Sequence, residues 1–166
     1  MISTYNPNAL HERSGEVLAL LDPAAELYHR LILVVGRGRS GKTTVLRTVA
    51  TATSGTLINA GLAMSKELLA YAPRQAPLKT PELLAALVGN ATQGPVLLDN
   101  TDILFDKLLA VDPLVLLQRA ARSQTIVVAW RGCVERGMLR YALQDHRDSR
   151  SYPAHDLLIV DLNTAP

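Results

Sequence analysis

The chain has 166 residues, 48% hydrophobic and 19% charged, a balance that excludes disorder and suits a single domain with a full core. Aromatic residues make up only 4%, with one Trp and one Phe, so the core must come from Leu, Val, Ile and Ala, and nucleic-acid binding through several stacked rings is excluded. A net charge of +2 implies no partner by itself, and the lone Cys133 excludes an intramolecular disulfide and a cysteine-rich zinc site.

Residues 1–7 carry neither a basic region nor an apolar stretch, so no signal peptide is expected. No apolar run approaches the ~20 residues a membrane helix needs. With a single cysteine, these features place the protein in a reducing cytoplasm. Leu10, Val17, Leu18, Leu20 and Leu21 form a weak helical pattern, and Asp22-Pro23 reads as a cap opening a second, short helix to about Arg30. Leu31-Ile32-Leu33-Val34-Val35 is apolar at every position, as a central parallel strand covered on both faces requires. A helix is predicted over 42–51 and a short strand over 56–59. Another helix is expected over 62–71, with Leu62, Leu68 and Leu69 as its buried stripe. Thr80-Pro81-Glu82 marks the start of a helix that Gly89-Asn90 closes.

The strand Pro95-Val96-Leu97-Leu98-Asp99 follows, then a helix over 103–109 and one capped by Asp112-Pro113 that runs to Arg122. Residues 125–130 form a β-branched strand, 137–144 a short helix, and 157–160 a last strand. The alternation predicts a three-layer α/β P-loop fold with about five mostly parallel strands. It is of the additional-strand, AAA-like type without a C-terminal lid domain. Residues 1–166 are read as one domain, with 1–29 as an N-terminal helical segment and 30–166 as the core.

The chemistry centres on Gly36-Arg37-Gly38-Arg39-Ser40-Gly41-Lys42-Thr43, a complete phosphate-loop pattern, with Thr44 beside it. Its glycines let successive backbone N–H groups converge on phosphate oxygens at the positive end of the following helix. Lys42 would reach the β- and γ-phosphates and the Thr43 hydroxyl would hold Mg²⁺. Ordinary residue frequencies give such a match by chance in roughly half a per cent of chains of this length. Asp99, at the end of its strand, is the expected Mg²⁺-directed carboxylate; the bland alternative is a helix cap. ATP is favoured over GTP because the chain has no Asn-Lys-x-Asp element.

Asn100 follows Asp99 where many ATP-hydrolysing proteins have a glutamate, and an amide cannot accept a proton. Asp102 is the nearest other carboxylate; it either polarises the attacking water or caps the helix expected at Ile103. Arg131, just after the strand 125–130, is either a γ-phosphate sensor, an arginine finger across a subunit interface, or an exposed loop arginine. Asn59 ends the strand after the loop helix. Residues 119–150 hold an excess of four positive charges, a candidate phosphate-facing patch or a solvated surface, and His146 and His155 lack metal-ligand spacing.

The second half is similar to a known family. Leu97-Leu98-Asp99-Asn100-Thr101-Asp102-Ile103-Leu104-Phe105-Asp106 resembles the small P-loop protein of type III BREX phage-defence systems, the BrxF family. So do Asp112-Pro113-Leu114 with Leu117-Gln118, Ala129-Trp130 with Gly132, and Leu139-Arg140-Tyr141-Ala142 before His146; Asn59 with residues 65–69 is similar too. The resemblance spans about 31–152 and is most distinctive over 97–141. It implies a nucleotide-binding accessory of a bacterial system that separates self from phage DNA by methylation. The other system proteins are then its partners, with DNA reached through them. Lys42 and Asp99 match the family's nucleotide residues, and Asn100 belongs to its pattern.

Three functions stay open on the sequence. The first is a slowly hydrolysing regulatory or assembly ATPase whose oligomer responds to nucleotide. The second is a small-molecule kinase that uses 131–150 as a lid, against which Asn59 stands where a carboxylate is wanted. The third is a binding module without turnover.

Overall fold

In a computed structural model, residues 6–91, 93–142 and 149–164 are described. Helix α1 (Pro7–Ala25) precedes β1 (Leu31–Gly36), α2 (Lys42–Thr53), β2 (Thr56–Asn59), α3 (Ala60–Leu68) and α4 (Ala76–Gly89). Then come β3 (Val96–Asp99), two 3₁₀ turns (Thr101–Phe105 and Lys107–Leu109), α5 (Pro113–Ala120), β4 (Ile126–Glu135), β5 (Met138–Tyr141), β6 (Arg150–Pro153) and β7 (Leu158–Asp161).

Five strands run parallel in the order β2-β3-β4-β1-β7, and β5 and β6 extend the sheet as antiparallel strands beyond β4. The five expected parallel strands are therefore present, with β4 as the additional strand between β1 and β3. Alternation along β1 explains the three layers. Leu31, Leu33 and Val35 face a core shared with Met64 of α3, Leu84 of α4 and Leu117 of α5. Ile32 and Val34 face Val17 of α1 and Val45, Leu46 and Val49 of α2. Among the described residues no helix is long and apolar enough to cross a membrane.

Several expected elements differ. Residues 7–25 form one helix rather than two: the Asn6 side chain caps its start by accepting from Asn8 N, and Pro23 falls in the last turn, where its missing N–H costs a single bond. Of the expected stripe on α3, Leu62 and Leu69 are 68% and 86% exposed and Leu68 is half-buried, while Ala60 and Met64 are buried. The start of the helix lies so close to the end of β3 that a Cβ on Gly61 would come within 2.7 Å of the Asn100 carbonyl. Helix α4 begins at Ala76, not Thr80, and carries Pro81 inside; the buried Thr80 hydroxyl donates to the Ala76 carbonyl at 2.8 Å. Helix α5 keeps its expected cap, Asp112 accepting from Val115 N at 3.1 Å, but ends two residues early.

The helix expected over 103–109 is a pair of 3₁₀ turns, because Asn100 enters in the left-handed region and Asp106 between the turns is extended. The helix expected over 137–144 is strand β5; positions 143 and 144 lie outside the described residues. Arg136 and Gly137, at φ 51° and 74°, make the two-residue turn that folds β5 back on β4. Strand β4 itself continues to Glu135, so Arg131 is inside a strand and not in a loop. The described part of 131–150 is thus strand and turn.

The single Trp and single Phe meet at this extension. Phe105 stacks on Tyr141 with centroids 3.4 Å apart and meets Trp130 edge-on at 5.0 Å, while Tyr152 meets Trp130 at 5.8 Å. Trp130 Nε1 donates to the Arg140 carbonyl at 3.1 Å. Replacing Phe105 by Ala empties the centre of this cluster and is expected to cost about 3–5 kcal/mol in urea denaturation. Burial, reinforced by the Asp112 carboxylate, pushes the Tyr152 phenol up to about 12 from its ordinary 10.0. A raised folded value means that this stabilisation is complete below pH ~10 and lost as pH rises through ~12. Tyr152→Phe should flatten the fall in unfolding free energy over that window.

Candidate functional site

Strand β1 delivers the chain to the loop at Gly36, and α2 takes it up at Lys42. Two glycines are required by contact. A Cβ on Gly36 would overlap the Ser40 hydroxyl; one on Gly41, which has φ 93°, would come within 2.7 Å of Leu10 on α1. A Cβ on Gly38 would meet nothing within 4 Å, because Gly38 faces open space. That space is a cavity of about 590 Å³, lined by residues 38–43, Asp99, Asn100, Thr101, Asp102, Ala129 and Arg131. Six of the expected loop residues therefore converge on one cavity with Asp99, Asp102 and Arg131.

The Lys42 ammonium curls over the loop, donating to the carbonyls of Gly36 at 2.8 Å and Arg37 at 2.7 Å and to Ser40 Oγ at 3.2 Å. Burial holds its pKa below the ordinary lysine value; the Asp102 and Asp99 carboxylates oppose that shift and Arg131 adds to it. Lys42 thus feels all three charged groups of the opposite wall. Thr43 Oγ1 donates to Asp99 Oδ2 at 2.7 Å, joining the loop helix to the end of β3. The other Asp99 oxygen accepts from Asn100 N at 2.9 Å.

Asn100, at φ 53° and ψ 51°, turns the chain sharply after Asp99. The next residue, Thr101, is buried and donates to the Ala129 carbonyl on β4 at 2.7 Å. Asp102 then reaches the cavity wall inside the first 3₁₀ turn, where Arg131 Nη1 stands 3.5 Å from its Oδ2. No side chain caps that turn, so the helix-cap reading of Asp102 falls. The register pairs Arg131 with Gly36, which sets it beside the root of the loop.

Gly36, Arg37 and Thr44 do not line the cavity. The Arg37 guanidinium points to Glu135 at 3.6 Å, and the Arg37 backbone N–H donates to Asn163 Oδ1 at 3.1 Å. Thr44 lies on α2, its carbonyl accepting from the Thr48 hydroxyl at 3.0 Å. Asn59 is a cap, accepting from Leu62 N at 3.0 Å, so it is committed to α3. No residue of α1 lines the cavity, although Leu10 supports it from beneath Gly41. The expected basic patch is divided: Arg122 covers the Tyr28 ring at 4.9 Å before β4 begins, whereas Arg131 lies on β4, Arg136 in the turn after it and Arg140 on β5. Asp145, His146, Arg147 and Asp148 are outside the described residues.

Sequence reasoning missed Thr101 and Asn163. Nothing local marks Thr101, since its partner lies 28 positions away. Asn163 bridges the loop to β4, donating from Nδ2 to the Gly132 carbonyl at 3.0 Å, and only the Asp161-x-Asn163 turn pattern hints at its order.

No protein-family model matches the chain, and no curated protein matches it. Among solved structures it is similar to the C. elegans protein PCH-2, an AAA+ P-loop ATPase, with a TM-score of 0.51 and 16% identity. The match covers 98% of this chain but 45% of that one, so the chain spans less than half the length of PCH-2. The likeness is one of fold: a mixed α/β, mostly parallel P-loop architecture.

Proposed function

We propose that the chain binds ATP with Mg²⁺ and acts as a slowly hydrolysing regulatory or assembly component of a bacterial phage-defence system of the type III BREX kind. The observation that carries this reading is the 2.7 Å contact between Thr43 and Asp99 at the end of a complete phosphate loop. A hydroxyl and a carboxylate from separate elements, both on the cavity wall, are the hard oxygen donors that suit Mg²⁺. Mg²⁺ bound there would neutralise phosphate charge. The backbone of residues 38–43 would cradle the phosphates at the start of α2, and Lys42 would exchange its loop carbonyls for phosphate oxygens.

The expected slowness has a structural basis. Asn100 offers no base, and Asp102, the carboxylate placed to accept a proton from water, is engaged with Arg131. The same amide supports a second reading, a nucleotide-binding module without turnover. Assembly is supported by the AAA-like fold. The defence role is supported by the resemblance of residues 97–141 alone.

Calorimetric titration with Mg·ATP tests the site: Lys42→Ala should weaken binding by at least about 100-fold. Thr43→Val should abolish the gain in affinity that Mg²⁺ gives. Unchanged affinity in Lys42→Ala overturns the assignment. Sedimentation with phosphate release on the same sample tests the assembly role, which predicts a Mg·ATP-dependent change in mass with turnover well below ~1 s⁻¹. A constant mass without phosphate release favours the static module.

A further inference from the structure

Three strands of the sheet, β2, β6 and β7, each pair with one neighbour only among the described residues. An open edge presents unpaired backbone N–H and C=O groups, and charges or prolines placed on it keep other chains from pairing there. Strand β6 carries Arg150 and Pro153, and β7 ends in Asp161. Strand β2, Thr56-Leu57-Ile58-Asn59, has neither, and no charged residue occurs anywhere over 48–65. Its Leu57 side chain is exposed. The parallel register with β3 fixes which backbone groups face out. Thr56 N donates to the Pro95 carbonyl at 3.0 Å, so Thr56 and Ile58 turn their backbone groups towards β3. By the alternation of a strand, Leu57 turns its own N–H and C=O outward.

We infer that β2 is an edge for a second copy of this chain: two copies pair their β2 strands antiparallel about a two-fold axis at Leu57. The occupant follows from the edge itself. A second copy brings an identical neutral strand, so no charge opposes the approach, whereas a charged peptide would find no counter-charge over 48–65. At a two-fold through Leu57, each copy's Leu57 N–H donates to the other's Leu57 carbonyl, so one residue satisfies both of its outward groups. The exposed Leu57 side chains then meet across the axis, and Thr56 of one copy stands opposite Ile58 of the other. Because the paired strands run in opposite directions, the two phosphate-loop cavities open at opposite ends of the joined sheet. Neither copy adds a residue to the other's site, so the contact needs no nucleotide and stands apart from the function proposed above.

The test is sedimentation of the full chain without nucleotide over a range of concentrations. A four-residue edge makes a small interface, so the dimer should have a dissociation constant on the order of 10 µM. Leu57→Lys, which sets like charges directly opposite each other, should raise that constant at least about tenfold while the far-UV circular dichroism stays the same. Leu108→Ser, at an exposed leucine away from this edge, and Lys42→Ala, in the loop, should each leave it within about twofold. Register is read by crosslinking. Thr56→Cys and Ile58→Cys variants, mixed and mildly oxidised, should form a disulfide-linked dimer, because such opposed Cα atoms stand roughly 4.5 Å apart. Either variant alone should not, the native Cys133 being buried. A monomer at about 100 µM, a dimer that Leu57→Lys leaves intact, or equal crosslinking in the mixture and in the single variants overturns the edge pairing. Should Leu57→Lys disturb the fold, the crosslinking pattern decides alone. Loss of the dimer in Lys42→Ala also overturns it, whereas failure of the edge with Lys42-dependent nucleotide binding intact leaves the nucleotide reading standing.

Discussion

Strand β4 stands between the two strands that bear the site, and everything at the cavity follows from bridging it. The loop leaves β1 and Asp99 ends β3, two strand spacings apart, roughly 10 Å. Backbone at the strand ends cannot meet across that gap. Helix α2 closes it by lying over β4, with Val45, Leu46 and Val49 buried against Leu97, Val127 and Ala129. Only that packing brings Thr43 to within 2.7 Å of Asp99. The small side chain of Ala129 completes the arrangement, because it forms part of the cavity wall where a larger residue would fill the space.

The inserted strand does a second job. Beyond Arg131, which stands level with Gly36, it continues to Glu135 in a hairpin with β5, where Gly132 lets the Arg140 carbonyl approach closely. The aromatic cluster of Phe105, Trp130, Tyr141 and Tyr152 then joins three segments: the 3₁₀ turn with Asp102, the strand with Arg131, and the hairpin. The packed rings thus connect the turn and strand that bear the charged pair to the hairpin beyond them. On the other side, Asn163 ties the loop at Arg37 to Gly132, and Arg13 of α1 donates to the Thr164 carbonyl at 2.8 Å. The loop is thus braced from both flanks while Gly38 stays open to the cavity.

Local chemistry was legible along the chain wherever a few neighbouring residues decide the outcome. The loop from Gly36 to Thr43, the apolar run of β1, Asp99 at a strand end and the Asp112-Pro113 cap are all of this kind, and each lies where its pattern indicated. Proline was a poorer guide, since Pro23 and Pro81 both fall inside helices whose packing outweighs one lost backbone bond. The hydrophobic pattern of α3 misled for a related reason: the helix approaches Asn100 closely at Gly61 and buries Ala60 and Met64, which leaves Leu62 and Leu69 in solvent.

The sequence by itself determined that a phosphate loop lies between a buried strand and a helix, with a carboxylate ending a second strand, because those features depend on glycine freedom and hydrophobic runs within a few residues. Tertiary structure alone decided that β4 lies between those strands, that residues 138–141 form a strand, and that Asp102 faces Arg131. The strand order and the Asp102–Arg131 pairing depend on register between segments far apart in sequence, which no local pattern encodes, and on a left-handed turn at Asn100 that the Thr101–Ala129 bond anchors to β4.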